Sequence, residues 1–193
     1  GGIYFMSGMK LSYFLAIIPA GALSIYLFLS GPSNEYRRQR IRALINPLDD
    51  YLGTGWQLSQ ALFAVSSGGI LGLGLGRSNQ KHLYLSEAHN DFIFAIIAEE
   101  LGLIGCLLVI VAFLLFIKLG FSISAGAKDE FGQLLGTGIT LMIGFQAFIN
   151  MGVSLGLLPP TGLVLPFISY GGTSLVINLA MVGILINISR KNR

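Results

Sequence analysis

Long apolar runs separated by short polar ones dominate this chain, and that alternation predicts a set of membrane-crossing helices. A helix that crosses ~30 Å of hydrocarbon needs about 20 apolar residues. Four stretches qualify: 12–29, 92–117, 131–153 and 171–188. Pro19 lies inside the first, where neighbouring helices can satisfy the backbone groups it frees. A fifth stretch, 58–76, reads LSQALFAVSSGGILGLGLG. Its polar residues Gln60, Ser66 and Ser67 and its glycines at 68, 69, 72, 74 and 76 argue against a plain span. Each glycine costs a helix about 1 kcal/mol relative to alanine. The expectation is a helix of about ten residues, then a glycine loop dipping into the membrane interface; a true span is the alternative.

The stretch 154–170 carries Pro159, Pro160 and Pro166 among apolar residues and has no charge. Uncharged, apolar, proline-rich backbone suits a re-entrant turn buried against other helices. The fold class is therefore all-α: a polytopic transmembrane helical bundle forming one integral membrane domain over 1–193. It has a large loop at 30–91 carrying a short interfacial helix, and a re-entrant segment before the last span. The chain opens Gly1-Gly2 without Met, so it is expected to be a piece whose front is missing.

Composition agrees. Only 11% of the residues are charged and 53% are hydrophobic, with a mean hydropathy of +0.74. A soluble domain carries roughly 25% charge. The net charge is +3, gathered in one loop and at the C-terminus. That argues against a nucleic-acid partner, which wants basic residues along one soluble face. Membrane lipid or a phosphorylated lipid substrate fits better. The lone cysteine, Cys106, cannot form an internal disulfide.

Orientation follows the positive-inside rule. Lys10, Lys118, Lys128, Arg190, Lys191 and Arg193 lie on one side. Arg37, Arg38, Arg40, Arg42, Arg77 and Lys81 lie on the other. Long loops weigh less in this rule, so the C-terminus is expected in the cytoplasm and the loop 30–91 outside.

Three features carry candidate chemistry. EYRRQRIR (35–42) packs four arginines beside a membrane. Guanidinium forks bind phosphate oxygens in pairs, so the cluster reads as an anion site or as a contact to anionic headgroups. QKHLYLSEAHNDF (80–92) gathers Lys81, His82, Glu87, His89 and Asp91 just before an apolar helix. Here Asn90 or Asp91 either caps the helix, or Asp91 is a carboxylate placed to take a proton. No cysteine and no H-x-x-x-H spacing supports zinc. Glu99 and Glu100 follow about 12 Å further down the helix axis. Charge within hydrocarbon is costly and demands a partner or a wet cavity, so they either pair structurally or meet substrate.

Taken together, these residues resemble the FtsW/RodA/SpoVE family of cell-wall glycan polymerases. The likeness rests on NPLDDYLGTGWQLSQ (46–60), GLGLGRSNQKHLYLSEAHNDFIFAIIAEELG (72–102) and NMGVSLGLLPPTGLVLPFISYGGTS (150–174), the last a specific family signature. It covers nearly the whole chain. The run GRSNQKHLYLSEAHND is most similar to the FtsW and SpoVE branches, which serve division and sporulation. The resemblance implies the last four of ten spans plus the large outer loop, in the bacterial cytoplasmic membrane.

It also implies an activity: polymerising lipid II, a disaccharide-pentapeptide on undecaprenyl pyrophosphate, into glycan strands. Asp91 matches the family's catalytic carboxylate. Arg37, Arg40, Gln80, Lys81, Glu87 and His89 match its substrate-binding positions. Glu99, Glu100, Pro166, Ser169, Gly171 and Gly172 are expected to be structural or cavity-lining. A divalent cation, Mg or Mn, is implied without identifiable ligands, as is a class B penicillin-binding transpeptidase as partner. Ser86, Asn90, Tyr51 and Ala61 stand where the family usually has Pro, Thr, Pro and Ser, which puts the rigidity of the loop in question. Two rival roles remain at this stage. One is a lipid II flippase, for which the polar groups within the spans are sparse. The other is a scaffold recruiting a transpeptidase, which needs no Asp91.

Overall fold

The computed structural model describes residues 56–76 and 91–191, with Pro19 and Leu23 as isolated positions ahead of them. The expected span at 12–29 otherwise lies outside the described residues. So do Arg37, Arg40, Gln80, Lys81, Glu87 and His89.

Four helices make up the described part: α1 (Trp56–Gly68), α2 (Ile93–Ala125), α3 (Glu130–Ser154) and α4 (Gly172–Lys191). No strand occurs among the described residues. Three helices, α2, α3 and α4, are long and apolar enough to cross a membrane. Helix α2 runs eight residues beyond the expected end at 117, because FSISA after Lys118–Gly120 contains nothing that stops a helix. Its C-cap is Gly126, and the N-cap of α3 follows three residues later. There Asp129 is the N-cap, its carboxylate accepting from the Gly132 amide at 3.0 Å. That satisfies one of the free donors of the first turn. The basic pair Arg190 and Lys191 closes α4, where cations favour the negative end of the helix dipole.

Helix α1 buries Leu58, Ala61, Ala64 and Gly68, spaced three and four apart on one stripe. The stripe lies against α2. After Gly68 the chain turns through Gly69, Gly72, Gly74 and Gly76, all with positive φ. The expectation for 58–76 is a helix of about ten residues and then a glycine loop; the helix is observed with thirteen, starting at Trp56. What the loop docks onto was not foreseen.

Helix α2 is not continuous. Gly102 has φ 65° and ψ −160°, which divides it into a short arm before the glycine and a long arm after it. The long arm, 103–125, rises about 34 Å at 1.5 Å per residue, enough for the hydrocarbon by itself. The break exposes backbone groups that a helix would normally pair. The glycine loop takes them up. Leu73 and Gly74 amides donate to the Glu99 and Glu100 carbonyls at 2.9 and 3.0 Å. Leu103 and Ile104 amides donate to the Gly69 and Ile70 carbonyls at 3.0 and 3.4 Å. The two backbones approach so closely that a Cβ on Gly72 would overlap the Glu100 carbonyl, and one on Gly102 would overlap the Gly72 amide. Irregular backbone near a membrane needs its polar groups hydrogen-bonded within the protein, and these four bonds supply that at the crossing, whose Gly102 is buried while Ile70, Leu71 and Leu75 stay exposed.

The exterior is apolar and the interior partly polar. Leu107, Leu108, Val111, Leu114 and Leu115 are exposed along α2, as are Phe145 and Phe148 on α3. Glu99, Thr137, Thr140, Asn150 and Ser154 are buried. Lipid is as apolar as leucine, so helices in a membrane associate through close packing of small residues and polar contacts. The α2–α3 seam has that character: Gly120 meets Thr140, Gly136 meets Ser124, and Gly144 meets Ile117.

Candidate functional site

The site is built around the entry to α2. Phe92, buried, occupies the N-cap position with φ −115° and ψ 23°, and its carbonyl accepts from the Ala95 and Ile96 amides. Asp91 therefore stands one residue before the cap, half-buried, near the positive end of the helix dipole.

Across from Asp91 lies the irregular stretch between α3 and α4. Its Gly162 has φ +71°, and Asp91 Oδ2 comes within 3.8 Å of where a Cβ would stand on it. A Cβ there would be in ordinary van der Waals contact with the carboxylate, so the loop backbone at Gly162 lies directly alongside Asp91. Two amides on α3 hold this stretch. Asn150 Nδ2 donates to the Leu163 carbonyl at 2.6 Å and to the Asp91 main-chain carbonyl at 2.9 Å. One turn earlier, Gln146 Nε2 donates to the Val164 carbonyl at 2.9 Å. Beyond it the chain turns tightly: the Leu165 amide donates to Ser169 Oγ at 2.7 Å, and the Ser169 amide donates back to the Leu165 carbonyl at 3.0 Å. Pro166 is fully buried inside this turn. Phe167 holds φ 65°, a true outlier for a bulky residue. Its ring rests on Phe116, centroids 6.0 Å apart. Gly171 accepts the Leu175 amide at 2.9 Å and Gly172 opens α4.

Pro166, Ser169, Gly171 and Gly172 thus shape the turn that carries Gly162 and Leu163 and lead it into α4. Glu99 and Glu100 sit two turns past Asp91, where their carbonyls take part in the junction with the glycine loop. Glu99 is buried; Glu100 Oε1 is buried with no hydrogen-bond partner among the described residues. Asn150 and Gln146 are not among the candidate site residues that the sequence singles out. Their spacing of four, which puts both amides on one face of an otherwise apolar helix, was the available signal.

Among the described residues, no three His, Cys, Asp or Glu side chains gather to hold a metal ion. The carbonyls of Asp91 and Leu163 are also taken by Asn150. The cation implied by the resemblance finds no ligand set here and enters no step below. A separate apolar groove of about 290 Å³ lies between α2 and α3, lined by residues including Ile117, Phe121, Phe145 and Phe148, and it offers no charged group.

Residues 2–193 match the FtsW/RodA/SpoVE model, described as a cell cycle protein. The chain is 44% identical over 187 residues to "Probable peptidoglycan glycosyltransferase FtsW" of Geobacter metallireducens, covering 97% of this chain and 49% of that protein. It is 45% identical over 190 residues to "Stage V sporulation protein E" of Bacillus subtilis, covering 98% and 51%. The chain thus spans about half the length of the curated relatives it matches. A solved chain from work described as "Structural coordination of polymerization and crosslinking by a peptidoglycan synthase complex" superposes with a TM-score of 0.80. That chain is 27% identical, over 98% of this chain and 52% of its own length. An all-helical membrane fold, a carboxylate at the mouth of α2 and a clamped signature loop converge with these matches on one conclusion: the chain belongs to the FtsW/RodA/SpoVE family.

Proposed function

We propose that the full-length protein is a membrane glycosyltransferase that polymerises lipid II into glycan strands at the outer face of the bacterial cytoplasmic membrane. The observation that carries this reading is Asp91. It is half-buried at the head of α2, faces a glycine of the signature loop, and is anchored by its backbone to α3. The acceptor sugar's 4-hydroxyl attacks the anomeric carbon of the donor. A new C–O bond forms there as the bond to the pyrophosphate breaks. Asp91 takes the hydroxyl proton as general base, and the pyrophosphate leaves with the undecaprenyl chain. Arg37, Arg40 and Lys81 hold that leaving group, where negative charge builds up in the transition state. Gln80, Glu87 and His89 contact the substrate around it. A class B penicillin-binding transpeptidase that crosslinks the strands is the proposed partner, and membrane lipid surrounds the bundle. The flippase reading finds less support, because a path needs polar groups through the membrane depth, while α3 carries no charge past Glu130 and α4 none before Arg190.

The direct test is chain elongation on purified lipid II by the full-length protein in neutral detergent. Within that assay the arginine cluster gives a residue-level expectation. Arg37→Gln and Arg40→Gln should each cost roughly 10- to 150-fold, the loss of one charge-assisted contact worth about 1.5–3 kcal/mol. Arg38→Gln and Arg42→Gln should cost little, since a headgroup contact worth about 1 kcal/mol has no anionic lipid to act on here. Four equal, small effects would assign the cluster to the membrane surface instead.

Orientation has its own test. Ser33→Cys should react with an impermeant maleimide in intact spheroplasts in a Cys106→Ala background. Ala125→Cys, at an exposed position, should stay unlabelled until the cells are opened. Ala127 is unsuitable because it is buried. The opposite pattern would put the loop 30–91 inside.

A further inference from the structure

We propose that Asn150 is the positioning residue of this site: its amide fixes Asp91 and the signature loop as a single rigid unit. The inference deepens the glycosyltransferase reading above and rests on it. Asn150 is buried on α3. A side-chain amide has two N–H donors, and both are committed, one to the Asp91 carbonyl and one to the Leu163 carbonyl. These partners are far apart in sequence and belong to different elements. The first sets where the Asp91 backbone stands, and hence where its carboxylate points. The second sets the backbone that follows Gly162, the residue alongside that carboxylate. One planar group thereby fixes the distance between the proposed base and the loop beside it.

A plainer role is available: Asn150 as one of two tethers that merely keep the loop in place. Gln146 separates the two ideas. It holds the neighbouring Val164 carbonyl through the same kind of bond, from the same face of α3, and that bond goes to the loop alone. Loss of Gln146 removes a tether. Loss of Asn150 removes a tether and also the bond that ties the Asp91 backbone to α3.

The experiment is steady-state polymerisation of lipid II by full-length variants, with thermal unfolding in the same detergent. Asn150→Leu and Asn150→Asp keep the approximate volume and lack the donors. Each is expected to lower kcat by about 100-fold or more, the scale of a misplacement near 1 Å, with KM changed less than about threefold. Gln146→Leu is expected to cost under about tenfold, as for one neutral hydrogen bond. Should Asn150→Leu fail to fold, Asn150→Gln against Asn150→Glu carries the test. The two are alike in length and only Gln donates, so Gln should retain clearly more activity. Equal losses at 146 and 150 would overturn the proposal in favour of simple tethering. So would near-normal turnover of Asn150→Leu, or a raised KM at unchanged kcat. Asp91→Asn is run alongside. If it polymerises normally, the general-base reading falls and takes this inference with it. If it is inactive while the Asn150 variants are not, only the positioning role falls.

Discussion

Asp91→Asn in the full-length protein is expected to abolish glycan polymerisation while leaving folding and membrane insertion intact. The substitution keeps the shape of the side chain and removes its basicity. General-base catalysis contributes about 10²- to 10⁴-fold, so residual turnover should fall by at least that order. The fold should tolerate the change, because α3 grips Asp91 through its main-chain carbonyl, which every side chain leaves in place. Helix α2 should be spared as well, since the N-cap position belongs to Phe92. Polymer length on purified lipid II and thermal unfolding of the same sample give the two readouts. A variant that polymerises at near the wild-type rate would remove Asp91 from the chemistry. A variant that is inactive and also unstable would make Asp91 a structural residue instead.

Gly102→Ala should cost the protein its fold. The conformation at Gly102, φ 65° and ψ −160°, lies in a region that is essentially glycine-only, with strain of about 1–3 kcal/mol for other residues. Strain is the smaller part. The new Cβ would overlap the Gly72 amide and come against the Ile70 carbonyl. Relieving that overlap means parting the two backbones. The four hydrogen bonds across the junction would then open, each exposing buried groups at about 1–3 kcal/mol. Gly72→Ala should behave alike, because its Cβ meets the Glu100 carbonyl. Gly69→Ala and Gly76→Ala are the controls. Both have positive φ, and neither has an atom within 4 Å of its Cβ, so each should cost only the local strain of about 1–2 kcal/mol. Unfolding midpoints in detergent would rank the four. Wild-type stability for Gly102→Ala would mean that the junction is not the tight crossing described above.

Much of this was legible in the chain itself, and the reasons are specific. Helices α3 and α4 declare themselves because continuous apolar runs bounded by Asp129 and by Arg190-Lys191 leave few other arrangements. The glycine density at 68–76 correctly signals the end of a helix. The break in α2 does not show, because hydropathy reports side chains while the break lies in the backbone of one glycine inside LGLIG. Nothing local marks Gly102 as different from Gly105. Asp91 stands out through its motif, while the sequence does not show that Phe92, rather than Asn90 or Asp91, takes the N-cap position. Asn150 was in view inside the signature segment and among the polar groups of the spans. Its partners, Asp91 and Leu163, are set by tertiary packing that no spacing rule encodes.

The crossing at Gly72 and Gly102 also bears on how the protein is made. Residues 69–74 leave the ribosome before residues 99–104 do, and each half of the crossing holds the hydrogen-bond partners of the other. Until the second half arrives, the amides of Leu73 and Gly74 and the carbonyls of Gly69 and Ile70 lack the partners they have in the fold, and in hydrocarbon each bare group would cost several kcal/mol. The glycine turn must therefore wait in water or within the insertion machinery. Helix α1 reaches its final depth only when the chain beyond Gly102 is delivered alongside it. A later-synthesised segment thus completes an earlier one, and the packing of α1 onto α2 is an event shared by both.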